Sequence, residues 1–342
     1  MSEPLSVGAL EDLLSRPPDK TIASLSRITG DIIILGAGGK MGPSLATMAR
    51  RASNEAGVSR RVIAVSRFSD LSVKSSLEAA GVETISGDLM NESFLASLPK
   101  CENVIFMVGI KFGTDGGESR TWATNAYLPG IVCRQFAKSR IVCFSTGNVY
   151  GLVPIEQGDG SVETDTLCPT GEYAMSCLGR ERIFEYFSCE SKTQVAIFRL
   201  NYATELRYGL LVDLALQVIN EQPISLATGY FNVIWQAEAS GMALASLEHA
   251  SSPPFYINAT GGERVSCRGV CLRLGELLNK KVTFSNQETG TALLSDARRA
   301  FELFGPTEVT LDEMLVWTAD WISSGGETWD KPTHFEVRDG KF

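Results

Sequence analysis

Between residues 30 and 200 the chain alternates short, mainly apolar runs with longer stretches whose apolar positions recur every three or four residues. The runs at 31–35, 62–65, 82–85, 104–108, 141–145 and 195–199 predict six strands. They are continuous rather than alternating (Ile32-Ile33-Ile34-Leu35 is the clearest), as expected of strands buried on both faces of a parallel sheet. Stretches 43–51, 71–80, 121–138 and 173–187 predict the intervening helices. Strands alternating with helices define an α/β fold whose parallel sheet is covered on both sides, with ligands bound beyond the strands' C-terminal ends.

After residue 200 the alternation loosens. Helices are expected at 208–220, 241–248, 266–279, 291–304 and 311–323, with a short aromatic strand at 231–235. The run Phe255-Tyr256-Ile257-Asn258 predicts a strand that could return to the main sheet. A short helix at 5–16 (Leu5, Leu10, Leu13, Leu14) is closed by Pro17-Pro18. The expected organisation is an N-terminal extension (1–29), a sheet domain (30–200, with the return strand near 255–258), a smaller, discontinuous C-terminal substrate domain (201–323) and a polar tail (324–342). The tail, which opens at Gly325-Gly326, is expected to be mobile.

Composition narrows the function classes. A net charge of −9 argues against a general nucleic-acid surface. It leaves room for an anionic substrate held in a local basic pocket. The eight cysteines include no C-x-x-C pair and the histidines are only His249 and His334, so no metal site is expected and the thiols are read as reduced. No apolar run approaches a membrane span, and the start lacks a signal-peptide pattern. A soluble, cytoplasmic protein is expected.

The chemistry begins where the first strand runs into Gly36-Ala37-Gly38-Gly39-Lys40-Met41-Gly42. Glycines at 36, 39 and 42 fit G-x-x-G-x-x-G between a strand and a helix. Such a turn lets backbone approach a pyrophosphate, and the helix N-terminus offers unpaired N–H groups to it. The sheet is therefore expected to be a Rossmann-type, doubly wound dinucleotide binder. At the end of the second strand stand Ser66 and Arg67, with no carboxylate. An acidic residue there selects NAD by holding the ribose hydroxyls, whereas a basic one suits the 2′-phosphate of NADP. NADP is favoured over NAD, and Lys40 inside the loop supports that preference. Asp88 and Leu89, after the third strand, are candidates for the adenine, and Val108 and Gly109, at the end of the fourth, for the middle of the cofactor.

The fifth strand leads into Ser145-Thr146-Gly147-Asn148-Val149-Tyr150-Gly151, and Tyr173 follows at a helix start. With the glycine loop, these segments resemble the extended short-chain dehydrogenase/reductases of the NAD-dependent, nucleotide-sugar epimerase/dehydratase branch. Members carry S-[ST]-x-x-V-Y-G after strand five and a tyrosine farther on. The resemblance implies that Thr146 and Tyr173 hydrogen-bond the reacting oxygen of a sugar or nucleotide-sugar. It also implies cofactor contacts from Asn125, Lys111, Ser145, Tyr173 and Leu200, and substrate contacts from Asn148 and Tyr202. Lys111 resembles a cofactor-contacting lysine after strand four in UDP-galactose 4-epimerase. Arg199-Leu200-Asn201-Tyr202, Asn258-Ala259-Thr260-Gly261-Gly262 and 294–305 are weaker similarities, so the likeness spans about residues 30–323. Family members dimerise through helices that correspond to 121–138 and 173–187, so a homodimer is expected.

One departure stands out. The family's catalytic tyrosine is followed one helical turn later by a lysine that anchors the nicotinamide ribose and lowers the phenol's pKa; here that residue is Cys177. A phenol with a pKa near 10 is a poor base at neutral pH. Arg180 lies about 10 Å along the helix from Tyr173, and Lys111 could reach the cleft from strand four. The sequence thus allows an enzyme in which Tyr173 works with another cation, or a dinucleotide-binding regulatory or scaffold protein with a degenerate redox site. Cys177 could also be reactive itself, although helical cysteines facing a sheet are usually packing residues.

Overall fold

The computed structural model describes residues 6–111, 113 and 116–341. Its frame is a seven-stranded parallel sheet: β1 (Ile32–Leu35), β2 (Val62–Ser66), β3 (Glu83–Ser86), β4 (Asn103–Phe106), β5 (Arg140–Thr146), β6 (Gln194–Leu200) and β7 (Phe255–Ala259). The strands lie in the order β3-β2-β1-β4-β5-β6-β7. Strand order reverses at β1, between β2 and β4, and there the C-terminal ends part into a crevice. The apolar runs follow from burial on both faces. Ile32 and Ile34 join one core cluster while Ile33 and Leu35 join the other, and all four are fully buried.

In chain order the helices are α1 (Val7–Leu14), α2 (Asp19–Arg27), α3 (Gly42–Glu55), α4 (Leu71–Ala79), α5 (Glu92–Ser97), α6 (Glu118–Trp122), α7 (Leu128–Gln135), α8 (Gly171–Ser191), α9 (Leu210–Ile219), α10 (Gln236–Ala245), α11 (Cys267–Leu278), α12 (Arg298–Phe304) and α13 (Leu311–Ser323). Helices α5, α7 and α8 supply apolar residues to one face of the sheet, and α1 to α4 with α9 to α13 supply the other. The N-terminal helices therefore belong to this core, with Leu10, Leu14 and Leu25 fully buried; Leu5 lies outside the described residues. Among the described residues no helix is long and apolar enough to cross a membrane.

Three expectations are corrected. The stretch 291–304 is helical only from Arg298, because Thr291–Ala292 pairs antiparallel with Val153–Pro154. Its apolar residues Leu293 and Leu294 are buried in extended chain. The segment 231–235 is not one strand. Tyr230–Phe231 pairs with Val265–Ser266 and Ile234–Trp235 with Ala203–Thr204, and Phe231 and Trp235 are core residues. The C-terminal tail is also packed rather than free, with Thr333 and Phe335 buried.

Candidate functional site

After β1 the chain turns through Gly36, whose φ of +93° lies in the left-handed region that favours glycine. At Gly42, the first residue of α3, an added Cβ would overlap the Ala37 carbonyl, and at Gly38 it would overlap the Ser66 hydroxyl. Gly39 differs: the nearest atom to an added Cβ is the Gly36 carbonyl oxygen at 3.6 Å. The fold itself therefore requires small residues at 36, 38 and 42. The bare backbone at Gly39 instead leaves room on the cleft side.

The loop forms one wall of a cleft of about 400 Å³, within the range of small-molecule sites. The cleft runs from Ser66, Arg67 and Asp88 at the ends of β2 and β3 to Val108, Gly109 and Ile110 beyond β4. Of the candidate cofactor residues, Gly36, Gly39, Ser66, Arg67, Asp88, Leu89, Val108 and Gly109 line it. Asp88 accepts a hydrogen bond from Met90 N at 2.9 Å, which shapes the turn under the cleft. Gly38 of the same loop lines it too, and so do Ser69, Asp70, Arg120 and Thr124, which were not anticipated. Asp70 caps α4 by accepting from Ser72 N at 2.8 Å, and the Ser72 hydrogen bonds hold its carboxyl below the usual range. That cap was readable as a helix-start signal. Thr124 carried no signal, because it sits in a π-helical turn, Ala123–Tyr127, between α6 and α7.

That turn directs Asn125 inward. Its Oδ1 accepts from Ile110 N and from Arg180 Nη2, both at 2.9 Å, and its Nδ2 donates to Ile110 O and Ser176 Oγ, also at 2.9 Å. Asn125 thereby ties the segment beyond β4 to α8, and its amide group is occupied by that task.

Beyond Gly109 lie the groups suited to proton chemistry. Thr146 Oγ1, at the end of β5, accepts from Asn148 N at 3.2 Å and from Asn148 Nδ2 at 2.8 Å, which leaves its own O–H to donate. The Tyr173 side chain, on the first turn of α8, packs beside Cys177 and lies within electrostatic reach of Thr146. Burial, the dominant influence, pushes both the Tyr173 phenol and the Cys177 thiol up, so each is protonated at neutral pH. Two cations act against it, Arg180 on both groups and Lys111 on the thiol. Arg180, buried with Nη1 on the Phe144 carbonyl at 2.7 Å, favours the anionic form of both groups. Lys111 Nζ lies 5.9 Å from the Tyr173 ring centroid and donates to Thr333 O at 3.3 Å, and burial pulls its pKa down to about 8.

Ser145 faces away from the cleft. Its hydroxyl donates to Glu181 at 2.5 Å, and Glu181 pairs with Arg199 at 2.7 Å in a nearly inaccessible ion pair. Arg199 also donates to the Tyr150 hydroxyl, which donates to Asn258 Oδ1, each at 2.7 Å. Ser145 and Tyr150 thus support the end of β5 that presents Thr146. Glu238 is a support too, accepting from the backbone N–H groups of Glu308 and Val309.

The remaining predicted residues lie off the open cleft. Lys40 Nζ sits 3.2 Å from the Tyr208 ring centroid; burial first, then Lys331 and Lys111, lower its pKa to about 7. Met41, Gly42, Lys111, Asn125, Ser145, Thr146, Tyr173, Cys177 and Leu200 are likewise absent from its wall. Asn148 and Tyr202 line a second space of about 40 Å³, whose other side is formed by tail residues that include Phe335 and Arg338. Among the described residues no three His, Cys, Asp or Glu side chains are grouped to hold a metal ion, and the cysteines are all unpaired.

A glycine-cradled crevice at the reversal point of a seven-stranded parallel sheet, with a Thr–Tyr pair beyond strand five, defines the short-chain dehydrogenase/reductase class. Residues 32–203 match the model of the NAD dependent epimerase/dehydratase family, and the chain belongs to that family. Among solved structures it is similar to UDP-glucose 4-epimerase from Thermotoga maritima, determined with UDP-glucose (16% identity, 86% of this chain and 99% of that one, TM-score 0.71). It is also similar to UDP-glucuronic acid 4-epimerase from Bacillus cereus, determined with UDP-glucuronic acid and NAD (17% identity, 86% and 99% covered, TM-score 0.69). A third is dTDP-glucose 4,6-dehydratase from Bacillus anthracis, determined with NAD (13% identity, 86% and 96% covered, TM-score 0.70). No curated protein matches the chain.

Proposed function

We propose that the protein is a dinucleotide-dependent oxidoreductase of the epimerase/dehydratase kind acting on a sugar or nucleotide-sugar. The observation that carries this reading is the placement of Thr146, at the end of β5, with Tyr173, on the first turn of α8, beyond the glycine-loop cleft. Gly36, Gly39, Ser66, Arg67, Asp88, Leu89, Val108 and Gly109 would hold the adenosine and pyrophosphate half of the cofactor. When bound, the cofactor supplies hydride exchange with a substrate carbon. Thr146, oriented by Asn148, would hold the substrate oxygen, and Tyr173 would exchange its proton. Arg180 and Lys111 would supply the positive field that position 177 does not. The exposed Arg67 at the end of β2 favours NADP over NAD.

Mass spectrometry of nucleotide co-purifying with the protein tests the cofactor. Hydride transfer assayed with sugars and nucleotide-sugars tests the reaction. Tyr173→Phe is expected to lower turnover at least about 100-fold, the typical worth of a proton-transfer group, with dinucleotide affinity retained. Full turnover by that variant would refute the role given to Tyr173.

A second reading, a dinucleotide-binding regulatory protein, is favoured by Cys177 and by the raised phenol. Under it the native protein turns over no sugar, and Cys177→Lys gains reductase activity. Robust native activity that survives Cys177→Lys would dismiss it.

Helices α6 to α8 carry the exposed rings of Tyr127 and Tyr186, 57% and 59% accessible, and a homodimer through this face is part of the proposal. A monomer in light scattering at micromolar concentration would contradict it. The exposed free thiols of Cys168 and Cys189 suit a reducing, cytoplasmic compartment.

A further inference from the structure

We infer that residues 327–341 form an intramolecular strap over the half of the cleft beyond Gly109, and that it must swing out before a complete dinucleotide and its substrate bind. The inference rests on the dinucleotide reading above and adds a regulation of the same site.

The strap leaves α13 through Gly325, in the left-handed region at φ +74°, and its contacts run from the ring beneath Lys40 to the start of α8. Trp329 stacks on Tyr208, the ring that lies under Lys40, with centroids 6.2 Å apart. Thr333 donates to Asp213 from its backbone N–H at 2.7 Å and from its hydroxyl at 2.5 Å, while its carbonyl accepts from Lys111 Nζ at 3.3 Å. The Phe335 carbonyl accepts from the Thr228 hydroxyl at 3.3 Å. Arg338 donates to Ala227 O at 3.2 Å and to Thr291 O at 3.0 Å. Gly340 packs directly on the backbone of Thr170 and Gly171, at the start of the helix that carries Tyr173.

Two consequences follow. The space left beside Asn148 and Tyr202 is about 40 Å³, a tenth of the 400 Å³ on the adenosine side, and Phe335, Val337, Arg338 and Gly340 of the strap form part of its wall. The 400 Å³ space on the adenosine side has no strap residue on its wall. One half of the ligand site is open and the other is covered. The attachment is also reversible in character. Its anchors are hydrogen bonds and ring contacts over little buried apolar surface, and exposed Asp330, Lys331, Glu336 and Asp339 alternate with the few buried residues.

A closed strap weakens only those ligands that need the covered half, in inverse proportion to the open fraction. The test compares the full chain with one ending at Ser324, titrated with ADP-ribose and 2′-phospho-ADP-ribose and with NAD(H) and NADP(H). Truncation is expected to tighten dinucleotide binding by about tenfold, as for an open fraction near one in ten, and to leave the nicotinamide-free ligands unchanged. In the intact chain, amide hydrogen exchange across 329–338 is expected to rise when dinucleotide is added and to stay low with ADP-ribose. This second measurement stands whether or not the shortened chain folds. Dinucleotide that binds the intact chain with 329–338 still protected overturns the strap and leaves the dinucleotide reading intact. A protein that binds neither ADP-ribose compound nor dinucleotide overturns both.

Discussion

Thr146, Tyr173 and Cys177 bring a hydroxyl, a phenol and a thiol together, and burial keeps the phenol and the thiol protonated at rest. The arrangement is stiff because the layer beneath it is charged and sealed. Ser145, Glu181, Arg199, Tyr150 and Asn258 satisfy one another where almost no water reaches. A buried ion pair contributes little net stability against an apolar replacement, yet removing one partner strands the other's charge. Glu181→Ala leaves the Arg199 guanidinium uncompensated at 3% exposure. It is expected to lower unfolding free energy by about 3–5 kcal/mol, read from urea denaturation. A loss below about 1 kcal/mol, the scale of an exposed pair, would show that Arg199 finds another partner. The conservative variant Ser145→Ala removes only one hydrogen bond to the pair and is expected to cost about 1 kcal/mol.

At the scale of elements, the glycine loop separates demands of the fold from demands of the ligand. Gly42→Ala drives a methyl into the Ala37 carbonyl at the first turn of α3 and is expected to lower the melting temperature as well as binding. Gly39→Ala meets nothing closer than 3.6 Å. It is expected to keep the wild-type melting temperature within a few degrees while weakening ADP-ribose, since the added methyl fills room on the cleft side. Equal binding by Gly39→Ala would mean that the pyrophosphate does not approach there. This loop was legible in the sequence because a strand, a turn and a helix start are consecutive, and each obeys a local rule. The central strands were legible because burial on both faces leaves them mainly apolar, as in Ile32-Ile33-Ile34-Leu35. Elsewhere local rules were insufficient. The apolar run at 291–297 reads like a helix, yet its conformation is set by Val153–Pro154, far away in sequence. Asn125 reads as a ligand residue, yet the π turn aims it at Ile110 and Arg180. The tail reads as mobile because it is polar, and its partners Asp213, Thr228 and Lys111 are more than 100 residues away.

Across the whole molecule, Lys40 joins the glycine loop to the C-terminal half. Its ammonium rests on Tyr208, whose other contact is Trp329 of the strap. Burial first, then Lys331 and Lys111, lower its pKa to about 7 against the opposing pull of Asp213. In the unfolded chain a lysine titrates near 10.4. Between about pH 7 and that value the unfolded state holds a proton that the folded state lacks, so the free protein gains stability as pH rises from 7. Lys111, lowered to about 8, acts in the same direction, and Glu238, raised to about 7, titrates at and below the lower edge of this window. Binding has the opposite sign. A pyrophosphate beside Lys40 stabilises the ammonium, so the complex has the higher pKa and takes up a proton as it forms. Affinity is then greatest below about pH 7 and falls above it, by at most about tenfold per pH unit for one linked proton. Dinucleotide titrations from about pH 6 to pH 9 in buffers of different ionisation enthalpy measure both the slope and the proton. Lys40→Met keeps an apolar contact with Tyr208 and is expected to flatten most of the slope; whatever slope remains belongs to Lys111. If wild-type affinity is flat across that range, no phosphate lies near Lys40, and its ammonium serves only to hold the two halves together.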